Sequence, residues 1–246
     1  MLPFRFNKFI YYILEILPYL RITFTYVFIS LGIGVVFGLL LAIVKIKNKN
    51  ILKVFANGYT TVMRSIPSIV LLFLVYYGVP FLLRGLFHVE ISNMNKIIFI
   101  ILTLGLFSSA SLSEVMRSAY QSVHKGQMEA GLSIGLSGFQ VFKRIIFPQA
   151  FRVSLPNLGN QIIFLIHEGA LAYTIGLKDI MGKAFLINST SQGKYLLEVY
   201  FGLALIYWLV SIGVEQGIWR LDRLFSYAHI EEQDRINRDS NRKRGM

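Results

Sequence analysis

GQMEAGLSIGLSGFQVFKRIIFP, from Gly126 to Pro148, is a polar, glycine-rich stretch set between two strongly apolar blocks. Its glycines Gly126, Gly131, Gly135 and Gly138 weaken any continuous helix, each by about 1 kcal/mol against alanine. Gly138 suits the left-handed residue that ends a short helix. The pattern therefore predicts a short helix over Gln127 to Leu136, a turn, and a second helix from about Phe139. Such an element lies across a membrane surface and presents Glu129 to a soluble partner. An ordinary loop between two membrane spans is the plain alternative.

Composition supports a membrane setting. Apolar residues make up 54% of the 246 residues and the mean hydropathy is +0.57, more than an ordinary globular domain carries. The net charge of +12 comes from 25 basic against 13 acidic residues. These charges flank apolar blocks instead of forming one basic face, which argues against a nucleic-acid partner. The chain has no cysteine, so disulfides and thiolate metal sites are excluded. His88, His124, His167 and His229 are far apart and show no metal-ligand spacing.

Five apolar runs follow one another along the chain. Ile22–Val44, Ser65–Leu83, Ile97–Ser113 and Val199–Val214 are uncharged, and Val153–Leu177 is interrupted only by His167 and Glu168. Each is about long enough to cross a bilayer as a helix, the last with help from its flanks. No period-2 alternation suggests barrel strands. Before them, residues 1–17 carry Arg5, Lys8 and Glu15 among aromatics, and read as an interfacial amphipathic helix from about Phe9 to Leu17, ended by Pro18. A frayed tail is the alternative there. After the membrane part, 18–219, comes a tail, 220–246. From His229 to Met246 it mixes acids with Arg238, Arg242, Lys243 and Arg244 and is expected to be solvated and partly disordered, with attraction to anionic membrane lipid, about 1 kcal/mol per basic residue near the surface, as the alternative.

Five spans put the termini on opposite sides. Lys and Arg number sixteen on the side of 45–53, 117–152 and 220–246, and eight on the side of 1–21, 84–96 and 178–194. The positive-inside rule then places the N-terminus outside, and the 126–148 stretch and C-terminus in the cytoplasm.

The 126–148 stretch resembles the signature of ABC importer permeases: Glu-Ala-Ala, then Gly, then Ile-x-Leu-Pro at fixed offsets. Glu129, Ala130, Gly135, Ile145 and Pro148 fall on that spacing, while Gly131 replaces the second Ala and Phe147 the Leu. Lys125-Gly126-Gln127, Glu114, Arg117, Pro148-Gln149-Ala150, Arg152 and Pro156 resemble the polar amino acid branch of that family. The resemblance covers about residues 18–219. It implies an all-α membrane protein with the type I importer permease fold: five transmembrane helices and a cytoplasmic coupling helix. Gly126, Glu129, Ala130, Gly131, Gly135, Ile145 and Pro148 would then form the ATPase-coupling segment. It further implies a second permease chain, two ABC ATPase subunits that bind the ATP, an extracytoplasmic amino-acid-binding protein, and a location in the bacterial cytoplasmic membrane. This chain itself would hold no cofactor and catalyse nothing.

Four residues are candidates for the substrate pathway. Arg64-Ser-Ile-Pro-Ser resembles the second-span motif of polar amino acid permeases. Pro67 frees a carbonyl that must find a partner within the membrane, although a simple packing kink is the alternative. Arg64 is placed either at the pathway or at the membrane interface. His167-Glu168 sits near the middle of the fourth run, where ionisable groups are expensive and face a cavity or bundle interior. The carboxylate could receive an amino acid's ammonium group, with His167 nearby for its carboxylate; a helix–helix hydrogen bond is the plainer reading. The family commonly has Lys-Asp-Thr-Ser-Leu here, where this chain has His-Glu-Gly-Ala-Leu. A proton-relaying secondary transporter or channel subunit is the competing function. The run Ala170–Gly176 with Asp179–Gly182 looks most like cystine permeases.

Two motifs are decoys. Gly176-Leu-Lys-Asp-Ile-Met-Gly182-Lys183-Ala184 mimics a phosphate loop but has five residues between the glycines and Ala where Ser or Thr belongs. Asn188-Ser-Thr190 is a glycosylation sequon that matters only in a eukaryotic secretory pathway.

Overall fold

The computed structural model describes residues 4–47, 51–90 and 94–244, with 226–244 described by backbone alone. Among these residues the structure is helical throughout, with no strand. The chain forms two compact units, one of residues 1–118 and 161–211, the other of 119–160 and 212–246.

The first unit begins with α1 (Phe6–Ile16), a 3-10 turn (Leu17–Tyr19) and α2 (Leu20–Lys47). α1 ends at Ile16, one residue before the expected Leu17, but the helical path continues past Pro18. Pro18 occupies the start of the 3-10 turn, where no backbone donor is needed, and α2 follows directly. The segment is not frayed. Tyr12 and Ile16 pack into one cluster with Ile180, Ala184 and Ile187 of α10 (Ile180–Thr190) and Val199, Leu203 and Ile206 of α11 (Leu196–Arg244). The Lys183 ammonium donates to Glu15 at 2.7 Å, and the Arg5 amide donates to Glu198 at 2.9 Å.

α3 (Ile51–Ser65) and α4 (Ser68–Phe73) are separate helices, so the expected 65–83 span is broken at Ile66-Pro67. A π turn (Leu74–Gly78) leads to α5 (Val79–Phe87). α6 (Lys96–Ser122) then packs against α2. Small residues set that contact: a Cβ on Gly34 would lie 2.2 Å from Ser108 Oγ, and one on Gly38 would lie 3.1 Å from Leu112 Cβ and from the Ser109 carbonyl. Close backbone approach through glycines four apart is how helices associate where lipid removes the hydrophobic driving force. Hydroxyls in the seam find carbonyls: Ser30 donates across to Ile101 at 3.2 Å, and Thr103 back to Phe99 at 2.8 Å. The opposite face of α2, with Phe28, Val36, Phe37 and Leu40, is exposed.

The second unit holds α7 (Gly126–Ser133), α8 (Gly138–Val141), a π turn (Phe142–Ile146) and the start of α9 (Phe147–Gly169). α9 packs on α11 there. A Cβ on Gly159 would meet Ile218 at 2.8 Å, the Phe151 and Phe225 rings meet edge-on at 5.5 Å, and Arg152 donates to the Phe225 carbonyl.

Among the described residues four helical stretches are long and apolar enough to cross a membrane: Phe6–Lys47, Ser68–Phe87, Lys96–Ser122 and Leu196–Phe225. The fifth expected run, 153–177, is α9 to Gly169 and then a 3-10 turn over Ala170–Ile175, with Pro156, Asn157, Asn160 and Gln161 diluting its apolar character. The tail differs from expectation, because the α11 backbone stays helical to Arg244. The side chains of Arg238, Arg242, Lys243 and Arg244, and the whole of Lys49, lie outside the described residues.

Gly34→Leu should separate α2 from α6 and destabilise the protein by the upper end of about 1–3 kcal/mol. Gly32, two residues away, has nothing within 4 Å of its missing Cβ. Gly32→Leu should therefore melt in detergent like the wild type; equal losses in the two variants would contradict the packing described.

Candidate functional site

The predicted surface element exists, in the second unit, with a different hinge. α7 ends at Ser133, and Gly135, not Gly138, takes the left-handed conformation at φ +83°. The Leu136 amide donates to the Gly131 carbonyl and the Gly135 amide to Leu132, the double bond pattern that closes a helix around such a residue. Gly138 instead opens α8. Ser137 caps it, accepting from the Gln140 amide, while its own amide donates to Gln140 Oε1 at 2.8 Å.

The seven signature residues divide into two groups by their part in the element. Gly131 is buried where a Cβ would press 2.6 Å from Val141 and 3.3 Å from Ile145, so the two arms close on each other only because this residue is glycine. Gly135 makes the turn, and Pro148 lies two residues beyond the π turn. These four residues build the element. Gly126 starts α7, its amide donating to His124 Nδ1 at 3.1 Å. Glu129 and Ala130 are exposed, with Glu129 in the first turn of α7, where its charge suits the helix dipole. Around them Leu132, Ile134 (76% exposed) and Phe139 (72% exposed) form an apolar tip that is exposed among the described residues.

In the first unit the structure joins some pathway candidates and parts others. The Ser68 hydroxyl donates to Glu168 Oε2, so Glu168 reaches the Pro67 break. Pro67 sits before α4, not within a span, and its own carbonyl accepts from the Val70 and Leu71 amides at 3.0 and 3.1 Å. His167 turns away from Glu168. Its Nε2 lies 3.4 Å from Ser211 Oγ, and its ring meets Tyr207 edge-on at 6.0 Å. His167 and Glu168 thus have separate partners in this structure. Arg64 is exposed in the last turn of α3.

A polar cluster went unrecognised in the sequence. Asp179 is fully buried; it caps α10 by accepting from the Gly182 amide at 2.8 Å, and it accepts from the Tyr26 hydroxyl of α2 at 3.0 Å. The Tyr26 ring fills the space left by Gly169, whose Cβ would lie 2.2 Å from it. Asp-x-x-Gly before an apolar helix was the available signal. The same contacts dispose of the phosphate-loop decoy, since a 3-10 turn and no strand precedes it, and of the sequon, since Asn188 is only 8% exposed. Among the described residues no group of three His, Asp or Glu side chains could hold a metal.

Residues 34–225 match the family described as binding-protein-dependent transport system inner membrane component. The chain belongs to that family. It is 38% identical over 194 residues to the L-cystine transport system permease protein TcyL of Bacillus subtilis (strain 168), covering 79% of this chain and 80% of that one. It is also 34% identical over 176 residues to a putative glutamine transport system permease protein of Rickettsia prowazekii (strain Madrid E), covering 72% and 78%. A crystal structure of an amino acid ABC transporter with histidines superposes with a TM-score of 0.77 at 29% identity, over 90% of this chain and 99% of that one. An inward-facing methionine ABC transporter shares the fold, with a TM-score of 0.64 at 19% identity. The fold is thus that of type I ABC importer permeases, and the chain is an ABC permease subunit.

Burial pushes the Asp179 carboxyl up to about 6, with the Gly182 and Tyr26 hydrogen bonds opposing the rise. A carboxyl whose folded pKa exceeds its unfolded value stabilises the fold in its neutral form. That stabilisation is complete below about pH 4 and is lost as pH rises to about 6. Asp179→Asn keeps an N-cap and has nothing to ionise. Its melting temperature should gain on the wild type between about pH 4 and pH 7; a constant difference would refute the raised pKa.

Proposed function

We propose that this chain lines the translocation path of an ATP-driven importer for a polar amino acid in a bacterial cytoplasmic membrane. Two permease chains would form the path. Two ATPase subunits, which bind the ATP, would dock under the 126–138 segment, and an extracytoplasmic amino-acid-binding protein would deliver substrate. The observation that carries this reading is the apolar tip of Leu132, Ile134 and Phe139 beside exposed Glu129, held on a turn closed by Gly131 and Gly135. A rigid apolar tip with one charge fits a groove in a soluble partner. The likeness to the cystine permease supports L-cystine as the substrate. The sixteen-to-eight distribution of Lys and Arg supports an external N-terminus and a cytoplasmic C-terminus.

Within the path, Glu168, the Pro67 break and Arg64 on the adjoining helix are the groups we assign to substrate passage. The Ser68 hydroxyl holds the Glu168 carboxylate and leaves its other oxygen for an ammonium group. His167, turned toward Ser211 and Tyr207, serves packing between α9 and α11 instead.

Glu129→Lys should insert and melt like the wild type, because the side chain is exposed, yet lose ATPase co-purification and at least tenfold of uptake. Full uptake by this variant would end the docking role. Glu168→Gln keeps the shape and an acceptor for Ser68 but removes the charge. It should assemble normally and import with KM raised about tenfold, the equivalent of about 1.4 kcal/mol; an unchanged KM would remove Glu168 from the path.

A further inference from the structure

Lys45 ends the membrane stretch of α2, where a lysine stem commonly carries its ammonium outward to water. Here the side chain turns inward and is 0% exposed. Its Nζ donates to Thr60 Oγ1 of α3 at 3.0 Å, to Ser113 Oγ of α6 at 3.0 Å and to Glu114 Oε1 of α6 at 2.6 Å. An ammonium group has three protons, and all three are placed. The acceptors are equally committed. Ser113 spends its own proton on the Ala110 carbonyl, and Thr60 has the Ala56 and Asn57 carbonyls within reach of its proton. Glu114 is shared outward with Arg117, one turn further along α6, at 2.8 Å. Both Glu114 and Arg117 are partly exposed, so the network runs from a dry interior to the end of the helix.

We infer that Lys45 is a positioning residue for transport. It locks α2, α3 and α6 in one register, and through Glu114 and Arg117 it fixes the last turns of α6, from which the 126–138 segment hangs. A buried ion pair is a poor way to gain stability, since apolar residues of the same size often do as well or better. A fully satisfied polar network does something apolar packing does not: it admits one arrangement and penalises its neighbours. That property matters where α6 must pass a movement along its axis without twisting or slipping. The Ser113-Glu114-x-x-Arg117 face and Lys45 then form one device, with Thr60 as its third anchor. The inference rests on the proposed docking of ATPase subunits to the 126–138 segment.

The test uses the complete transporter, with its ATPase subunits and binding protein, in proteoliposomes. Lys45→Met with Glu114→Met replaces the ion pair by apolar side chains of similar length. The double variant should keep its detergent melting temperature and its bound ATPase, while uptake falls at least tenfold and ATP hydrolysed per substrate imported rises. A merely structural network predicts wild-type uptake in this variant, and that result would overturn the inference. Should the double variant fail to assemble, Arg117→Gln leaves the Lys45–Glu114 pair in place; it should raise ATP use per substrate several-fold, and a wild-type ratio would overturn the inference. Absence of ATPase from the wild-type preparation would instead defeat the docking reading and is seen before any variant is made.

Discussion

A backbone carbonyl inside a bilayer has no water to turn to, and every proline in a helix strips one carbonyl of its partner. Four of the five described prolines, all but Pro156 within α9, show one way this chain meets that constraint. Pro18 sits at the start of a 3-10 turn and Pro67 before the first turn of α4, positions where no donor is missed. Pro80 and Pro148 lie within continuous helical paths, and each is preceded, two residues earlier, by a π turn. The residue four before each proline, Tyr76 or Arg144, falls inside that wider turn, which moves its carbonyl away from the ring. At these four positions a break or a widened turn accompanies proline, whereas Pro156 sits in an uninterrupted stretch of α9, and the elements of both candidate sites are laid out around Pro67 and Pro148.

What the sequence disclosed follows from which signals are local. Apolar runs are, and three of the five runs, with most of a fourth, reappear inside stretches able to cross a membrane. The fixed offsets around Glu129 are local as well, and they led to the right family. Turn geometry was only half legible, because Gly135 and Gly138 both suit a left-handed residue. The choice depended on Ser137 and Gln140 capping the next helix, which leaves Gly138 to start it. The N-terminal α-helix ends at Ile16, next to the expected Leu17, but the helical path goes on through a 3-10 turn, because proline breaks a helix in its interior and is welcome in a first turn.

Long-range partners were not legible at all. Nothing in the text of the sequence joins Tyr26 to Asp179, 153 residues apart, or Ser68 to Glu168, 100 residues apart. His167 and Glu168 read as a pair because they are adjacent, whereas their partners, Ser211 and Tyr207 for the one and Ser68 for the other, lie far off in the sequence. The glycines Gly34 and Gly38 were a usable signal that passed unnoticed inside a run already assigned as a span. Their role appears only once Ser108 and Leu112 stand opposite them.

The apolar tip has a cost for the cell. Ile134 and Phe139 are held out by a turn that Gly131 and Gly135 close tightly, so the tip cannot fold back to hide them. If soluble partners dock on the tip as proposed, a permease chain made in excess of them carries an uncovered greasy knob, the kind of surface that aggregates and that proteases and chaperones recognise. The lifetime of the free chain would then be tied to the supply of its partners, matching subunit numbers without a dedicated regulator.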